Sequence, residues 1–197
     1  MKRRNKLIKH LSRFWEQVKS SKTVIILCVL IVIATLMLII MIQQRDIGAK
    51  EAGQQIEELT LKVRNYYKAR PDYWGLSTNE VIKNHLYPDS MSINGGRLLG
   101  YFANPVEIGM DDHGSIVMPT LKDFVIAYND LTKAQCIALA SDRYHSNFWL
   151  GLKEISIINS SNEQTFGWNN GKMSLPISRQ NATKICQNGS NVLFRME

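Results

Sequence analysis

The longest apolar stretch of the chain runs from Thr23 to Ile42 and contains twenty residues without a charged side chain. As an α-helix, which rises about 1.5 Å per residue, this run would cover about 30 Å, the thickness of the hydrocarbon core of a bilayer. A cleavable signal peptide has a shorter apolar core, of about 7 to 15 residues, followed by small residues. Here Gln43, Gln44 and Arg45 follow, so residues 23–42 are predicted to be a retained transmembrane helix.

Residues 43–70 continue with apolar positions at helical spacing. Successive positions are four, three, four and three residues apart and form one stripe, which we call the predicted assembly face: Ala52, Ile56, Leu59, Val63 and Tyr66. Pro71 and the turn-prone sequence after it end the pattern. The sequence thus predicts one helix whose first half lies in lipid and whose second half presents this stripe to another surface.

Residues 71–197 mix short helical and strand patterns. Capping-box sequences that begin at Ser77 and Thr132 predict two short helices, and residues 178–189 predict a third. Alternation of apolar and polar side chains predicts strands over 104–112 and 122–130, and two further strands are predicted over 152–158 and 191–196. This order is typical of the α+β class, in which an antiparallel sheet carries helices on one side.

The positive charge of the chain is concentrated before the apolar run. Residues 1–22 carry eight Lys or Arg and one acid, a net +7 that equals the charge of the whole chain. A basic chain can indicate nucleic-acid binding, but positive residues next to a membrane helix are typical of its cytoplasmic side. We therefore expect a basic cytoplasmic tail over 1–22, an exported domain after residue 42 and no nucleic-acid partner. Whether the tail lies along anionic headgroups or is disordered stays open.

The three cysteines divide between the membrane run and the exported domain. Cys28 lies within the apolar run, where a small apolar packing role is expected. Cys136 and Cys186 are most simply one disulfide, because two cysteines in an exported domain are typical of a single bond. A zinc site would need more ligands than these two residues provide.

Enzymatic chemistry finds little support in the residues. The sequence from Met110 to His113 could form part of a metal site but is more typical of a polar turn. Cys136 and His145 could be a thiol nucleophile and its base, yet an oxidised sulfur cannot attack. Nucleotide-binding and hydrolase motifs are absent from the sequence. We expect no catalytic residues, no metal, no cofactor and no small-molecule substrate.

Aromatic side chains cluster where the long helix meets the domain, at Tyr66, Tyr67, Tyr73 and Trp74. A place in the core is the expectation, with a partner-docking surface as the alternative.

The domain resembles the type IVb pilins of thin conjugative and pathogenic pili. The resemblance covers residues 51–197 and rests on the long helix that leads into Tyr73 to Ser77, the segment Tyr87 to Gly96, the sequence DFVIAYNDLTKAQC, and Ala182, Cys186 and Phe194 in order. It implies a pilin-like domain over 71–197 whose sheet packs on the long helix, with a disulfide between Cys136 and Cys186. It also implies a subunit of an extracellular filament or a related minor pilin.

Two signatures of the family are missing from the membrane-proximal sequence. Type IV prepilins carry a Gly at the processing site and a Glu at the fifth mature position. When Thr23 is matched to the threonine common near the mature start of the family, Ser21 and Ile26 stand at these two positions. Without cleavage, the tail's positive side chains would have to cross the bilayer for extraction into a filament. We therefore expect a bacterial inner-membrane protein with a periplasmic domain. It would be an accessory or minor subunit of a type IV pilus or secretion apparatus, with other pilin-like subunits as partners. A tethered periplasmic ligand- or partner-binding module is the alternative.

Overall fold

The computed structural model describes residues 22–110, 122–141, 151–168 and 173–197, with side chains described except at 22–23, 39–47 and 173–174. The chain divides into two compact units, Met1–Gln44 and Arg45–Glu197. Each unit is treated separately below.

The first helix, α1, spans Lys22–Tyr67 and is 46 residues long. In the first unit, its large apolar side chains between Ile25 and Leu38 have relative exposures of 47% to 63%. No helix within the described residues combines the length and the apolar character needed to cross a membrane.

In the second unit, α1 buries one face in the core of the domain. The side chains of Ala52, Ile56, Leu59 and Val63 are fully buried, and Tyr67 is 3% exposed. These residues belong to the same hydrophobic cluster as the apolar side chains of the sheet. Burial of about 25 cal/mol per Å² of apolar surface makes this packing the main force that holds the helix on the sheet.

Within the described residues, one eight-stranded sheet forms the body of the domain, in the spatial order β1-β2-β3-β4-β8-β5-β6-β7. Neighbouring strands are antiparallel except β6 and β7, which are parallel. The strands are β1 Ser92–Asn94, β2 Arg97–Leu99, β3 Pro105–Met110, β4 Phe124–Leu131, β5 Leu152–Asn159, β6 Asn162–Gly167, β7 Met173–Ser174 and β8 Ser190–Met196. The last strand, β8, therefore lies in the middle of the sheet.

Alternation of buried and half-exposed side chains shows which face of the sheet packs on the core. Along β4 the buried residues include Phe124, Ile126 and Tyr128, and along β8 they include Val192 and Phe194. The residues between them point to the opposite face, which we call the open face. Such alternation is expected of a strand with one buried face, and both strands lie in segments predicted as strands, 122–130 and 191–196.

Three short helices complete the domain: α2 Thr78–Lys83, α3 Lys133–Ala140 and α4 Arg179–Ile185. Each begins after a serine or threonine whose side chain accepts a hydrogen bond from the backbone of the first turn: Ser77, Thr132 and Ser178. The side-chain oxygen of Gln135 accepts a hydrogen bond from the Thr132 backbone in return, so the predicted capping box is complete.

The predicted α+β fold is therefore confirmed, with three additions. The hairpin of β1 and β2, strand β6 and strand β7 were not predicted. The two central residues of the hairpin, Gly95 and Gly96, have φ of 56° and 77°. Such values suit a tight two-residue hairpin and favour glycine.

Candidate interaction surfaces

The structure places the predicted assembly face inside the domain. Ala52, Ile56, Leu59 and Val63 contact the sheet of the same chain and have no exposed surface. Tyr66 is half-buried, and its hydroxyl donates to Glu80 Oε1 at 3.3 Å. The stripe is thus part of the intramolecular core and is not available to a partner while the domain is folded, which corrects the expectation of a surface for assembly.

The exposed side of α1 in the second unit carries a different set of side chains, which includes Gln54, Glu58, Leu61 and Asn65. We call this set the outer face of α1. Leu61 is 48% exposed and is the large apolar residue of the set. Glu58 pairs with Lys62 across one turn at 3.1 Å, a surface ion pair that stabilises the helix only weakly.

Gln55, which is only 2% exposed, fastens α1 to the rest of the domain. Its amide nitrogen donates to the backbone oxygen of Ser90 at 2.9 Å and to the Ser90 hydroxyl at 3.1 Å. Its amide oxygen accepts from the Tyr101 backbone at 2.7 Å. Sequence reasoning missed this residue, although its place beside Ile56 on the buried side of a helix was a signal for a partnered polar group.

A second polar connection joins α1 to the end of the sheet. The Arg64 guanidinium donates to the backbone oxygen of Glu197. Gly151 lies against both groups with φ +58°, and a side chain there would meet the guanidinium and the Glu197 oxygen. The positive φ of Gly151 therefore favours glycine, and a side chain there would also have to displace the Arg64 guanidinium.

The disulfide between Cys136 and Cys186 is present and joins α3 to the end of α4, with the two Cα atoms 5.8 Å apart. Both cysteines are buried, at 0% and 1% exposure. The Asn188 side chain accepts from the Lys133 backbone at 2.9 Å, so the segment after α4 also caps the start of α3. This arrangement fixes the chain that leads into the central strand β8.

The open face of the sheet forms a groove of about 800 Å³ over β3, β4 and β8, bordered by the segment before α2. Small residues make up much of its floor, including Gly109, Val125 and Ala127. A Cβ at Gly109 would meet no atom within 4 Å, so nothing within the domain requires glycine there. Exposed carboxylates of Glu107 and Asp130 border this floor.

Two ionisable groups of the domain, Lys153 and Tyr128, have pKa values shifted by their surroundings. Lys153 donates to Asp123 at 2.8 Å and lies 3.5 Å from Glu197. Burial alone would lower the pKa of Lys153, but the hydrogen bond and the charge of Asp123, with Glu197, outweigh it and raise that pKa. Burial also raises the pKa of Tyr128, whose hydroxyl lies 3.5 Å from Gln55.

The aromatic cluster is divided between core and surface. Tyr67 is buried and packs on Tyr73, which packs on Phe124 with ring centroids 4.7 Å apart. Arg70 lies over the Tyr67 ring at 4.7 Å. Trp74, in contrast, is 67% exposed, so the expected place in the core does not hold for this residue.

The two enzymatic candidates have separate outcomes. Residues 111–113 of the possible metal segment, together with His145, lie outside the described residues. Cys136 is oxidised and cannot act as a nucleophile. Across the described ranges, no group of three or more His, Cys, Asp or Glu side chains could hold a metal ion.

A long helix packed on a mainly antiparallel sheet, with a disulfide that fixes the last helix, defines the pilin class of α+β fold. Among solved structures, the type IVb pilin from Salmonella typhi matches with a TM-score of 0.51 and 13% identity, over 74% of this chain and 96% of that one. The type IV pilin TcpA from Vibrio cholerae El Tor matches with a TM-score of 0.49 and 12% identity, over 76% and 99% of the two chains.

The family follows from the sequence itself. The Bundlin family model matches residues 48–192, about three quarters of the chain, and the chain belongs to this family. The resemblance to type IVb pilins is thereby confirmed. No match to a curated protein was found.

Proposed function

We propose that this chain is a membrane-anchored, pilin-like structural protein that serves as an accessory or minor subunit of a type IV pilus or type IV secretion apparatus. The observation that carries the proposal is the combination of a Bundlin-family domain over residues 48–192 with Ser21 and Ile26 at the two signature positions of a prepilin. The domain is that of a subunit, while the preceding sequence lacks the features used for processing and for pairing with a neighbour.

Anchoring in the bacterial inner membrane is supported by the apolar run over 23–42 and by the basic residues before it. The large apolar side chains of 25–38 are solvent-exposed in the isolated chain, which is unfavourable in water and favourable in lipid. With the basic tail in the cytoplasm, the disulfide-bonded domain lies in the periplasm, where such bonds persist.

Contact with other pilin-like subunits is assigned to the outer face of α1, because the predicted assembly face is used within the domain. Leu61 supports this assignment, since it is a large apolar side chain that is half-exposed among polar neighbours. The polar residues around Leu61 are compatible with a reversible contact, as expected of an accessory subunit.

A second candidate function, a tethered periplasmic binding module, is favoured by the groove on the open face. Gly109 lies on the groove floor without an internal reason for glycine, and a glycine inside a strand often marks the approach of a partner or ligand. In this alternative the membrane segment is only a tether.

Purification of the full chain from native membranes in mild detergent tests the two functions. We expect pilus or secretion components to co-purify, and a Leu61→Glu variant to lose them while a Gly109→Val variant retains them. Loss with Gly109→Val alone would support the binding module. Absence of pilus and secretion components from the unaltered chain would contradict the structural role.

A further inference from the structure

The hairpin of β1 and β2 carries an asparagine–glycine pair at its tip. Asn94 is the last residue of β1 and pairs with Arg97, and Gly95 opens the turn between the two strands. Both residues of the pair are exposed. An asparagine before a glycine is chemically labile in water, because the glycine has no side chain to keep its backbone nitrogen away from the asparagine amide carbon.

The groups that would react at this pair are free of other bonds. In the described part of the chain, the Asn94 side-chain amide takes part in no hydrogen bond, and the Gly95 backbone nitrogen donates none. β1 lies at the end of the described sheet and is held by three residue pairs with β2. A short edge hairpin opens at a much lower free-energy cost than a central strand, and the backbone of Asn94 can then turn from its extended conformation towards ring closure.

A second pair of the same sequence, Asn188–Gly189, has the opposite setting. Its two residues are also exposed. However, Asn188 Oδ1 accepts from the Lys133 backbone at 2.9 Å, and the Gly189 nitrogen donates to the Leu131 oxygen at 2.9 Å. Both reacting groups are therefore bound here. The remaining pair, Asn170–Gly171, lies outside the described residues.

We propose that Asn94 is a site of spontaneous deamidation, at which the folded domain acquires aspartate and isoaspartate. Base removes the proton from the Gly95 nitrogen, and this nitrogen forms a bond to Cγ of Asn94. The bond from Cγ to Nδ2 breaks, and ammonia leaves with a proton returned by the conjugate acid of the base. The product is a cyclic imide, a succinimide.

One water molecule then opens the succinimide. Its hydroxyl joins the attacked carbonyl carbon, the bond from that carbon to the Gly95 nitrogen breaks, and a proton returns to the nitrogen. Attack at Cγ gives aspartate. Attack at the backbone carbonyl carbon gives isoaspartate, in which the main chain runs through the former side chain. The net change is the exchange of ammonia for water.

The modification alters the edge of the sheet. Both products place a negative charge at the tip of the hairpin, next to the strand that carries Arg97. Isoaspartate also adds a carbon atom to the main chain, which does not fit a tight two-residue turn. All three residues of β1 are exposed, so the change loosens this strand and leaves the core in place. It needs neither a membrane nor a partner, because both reacting groups belong to one hairpin.

Peptide mapping of the full chain by mass spectrometry tests the proposal. The folded, disulfide-bonded protein is held in mild detergent at mildly alkaline pH, and samples are digested at acidic pH, where ring closure is slow. We expect position 94 to convert severalfold faster than position 188, with aspartate and isoaspartate peptides of equal mass separated by chromatography. In the reduced chain unfolded in guanidinium chloride, the two positions should convert at similar rates, because the bonds of Asn188 and Gly189 are then absent.

Asn94→Gln is the matched control, since the longer glutamine side chain closes a ring far more slowly, and position 94 of this variant should keep its amide. Equal rates at positions 94 and 188 of the folded unaltered chain would overturn the proposal, because the hydrogen bonds of Asn188 would then give no protection. An amide that persists at position 94 of the folded chain, while the unfolded chain converts, would also overturn it, because the hairpin would then protect Asn94.

Discussion

Replacement of Leu59 by alanine is expected to destabilise the domain far more than replacement of Leu61, although the two leucines are two residues apart on α1. Leu59 is fully buried among the apolar side chains of the sheet, and Leu61 is 48% exposed on the outer face. Leucine-to-alanine changes in a core cost about 2 to 5 kcal/mol, because a cavity is left behind. A change at an exposed position costs within about 0.5 kcal/mol.

These free energies correspond to measurable differences in melting temperature. For a domain of about 150 residues, each kcal/mol shifts Tm by about 2 to 4 °C. The Leu59→Ala variant should therefore melt about 4 to 20 °C lower, and the Leu61→Ala variant should melt within about 2 °C of the unaltered chain. The assay is thermal unfolding of the full chain in mild detergent, followed by near-ultraviolet circular dichroism, which reports the packing of the domain's aromatic rings.

Equal melting temperatures for the two variants would refute this reasoning, because Leu59 would then not be in the core. The pair also separates stability from assembly. We expect the Leu61→Ala variant to be as stable as the unaltered chain but to recover fewer pilus or secretion components from membranes.

Three further outcomes are expected. Replacing Cys136 and Cys186 together by serine should lower the free energy of unfolding, measured in urea, by about 4 kcal/mol, because the disulfide closes a loop with a sequence separation of 50. A loss below about 1 kcal/mol would contradict this chain-entropy estimate. Gly151→Ala should cost more than Gly189→Ala by about 1 kcal/mol or more in the same assay. Both residues have positive φ, but only at position 151 would the new Cβ also crowd the Arg64 guanidinium and the Glu197 backbone oxygen; equal costs would argue against that contact. Burial raises the pKa of Tyr128 above 10.0, so the hydroxyl loses its proton at lower pH in the unfolded chain than in the folded domain, and the free energy of unfolding should fall as pH rises above about 10. Measured between about pH 8 and 11, the contribution of Tyr128 to this fall should be absent from the Tyr128→Phe variant.

The parts of the fold that follow from local pattern could be predicted from the sequence. Strands β4 and β8 lie in segments rich in apolar side chains, and Thr132 with Gln135 forms a complete capping box. The hairpin of β1 and β2 has only three residues in each strand, too few for a period of two to be visible. Strand β6 is largely polar, so it gave no strand signal.

The interaction surfaces were less predictable, because they depend on contacts between distant residues. A spacing of four, three and four residues identifies one face of a helix but does not say whether the chain's own sheet or a partner covers it. Here the sheet covers it, and the stripe continues to Tyr67 instead of Tyr66, four residues after Val63. The partners of Gln55 come from positions 35 and 46 residues away, which no local pattern reveals.

The central claim is that this pilin-family chain stays in the membrane with its N-terminal segment uncut. The intact mass of the protein, isolated from native membranes, tests it most directly. We expect a mass that includes residues 1–22 and the oxidised pair Cys136–Cys186. A mass that begins at Lys22 or Thr23, from a protein recovered in surface filaments, would contradict the account and favour a processed filament subunit.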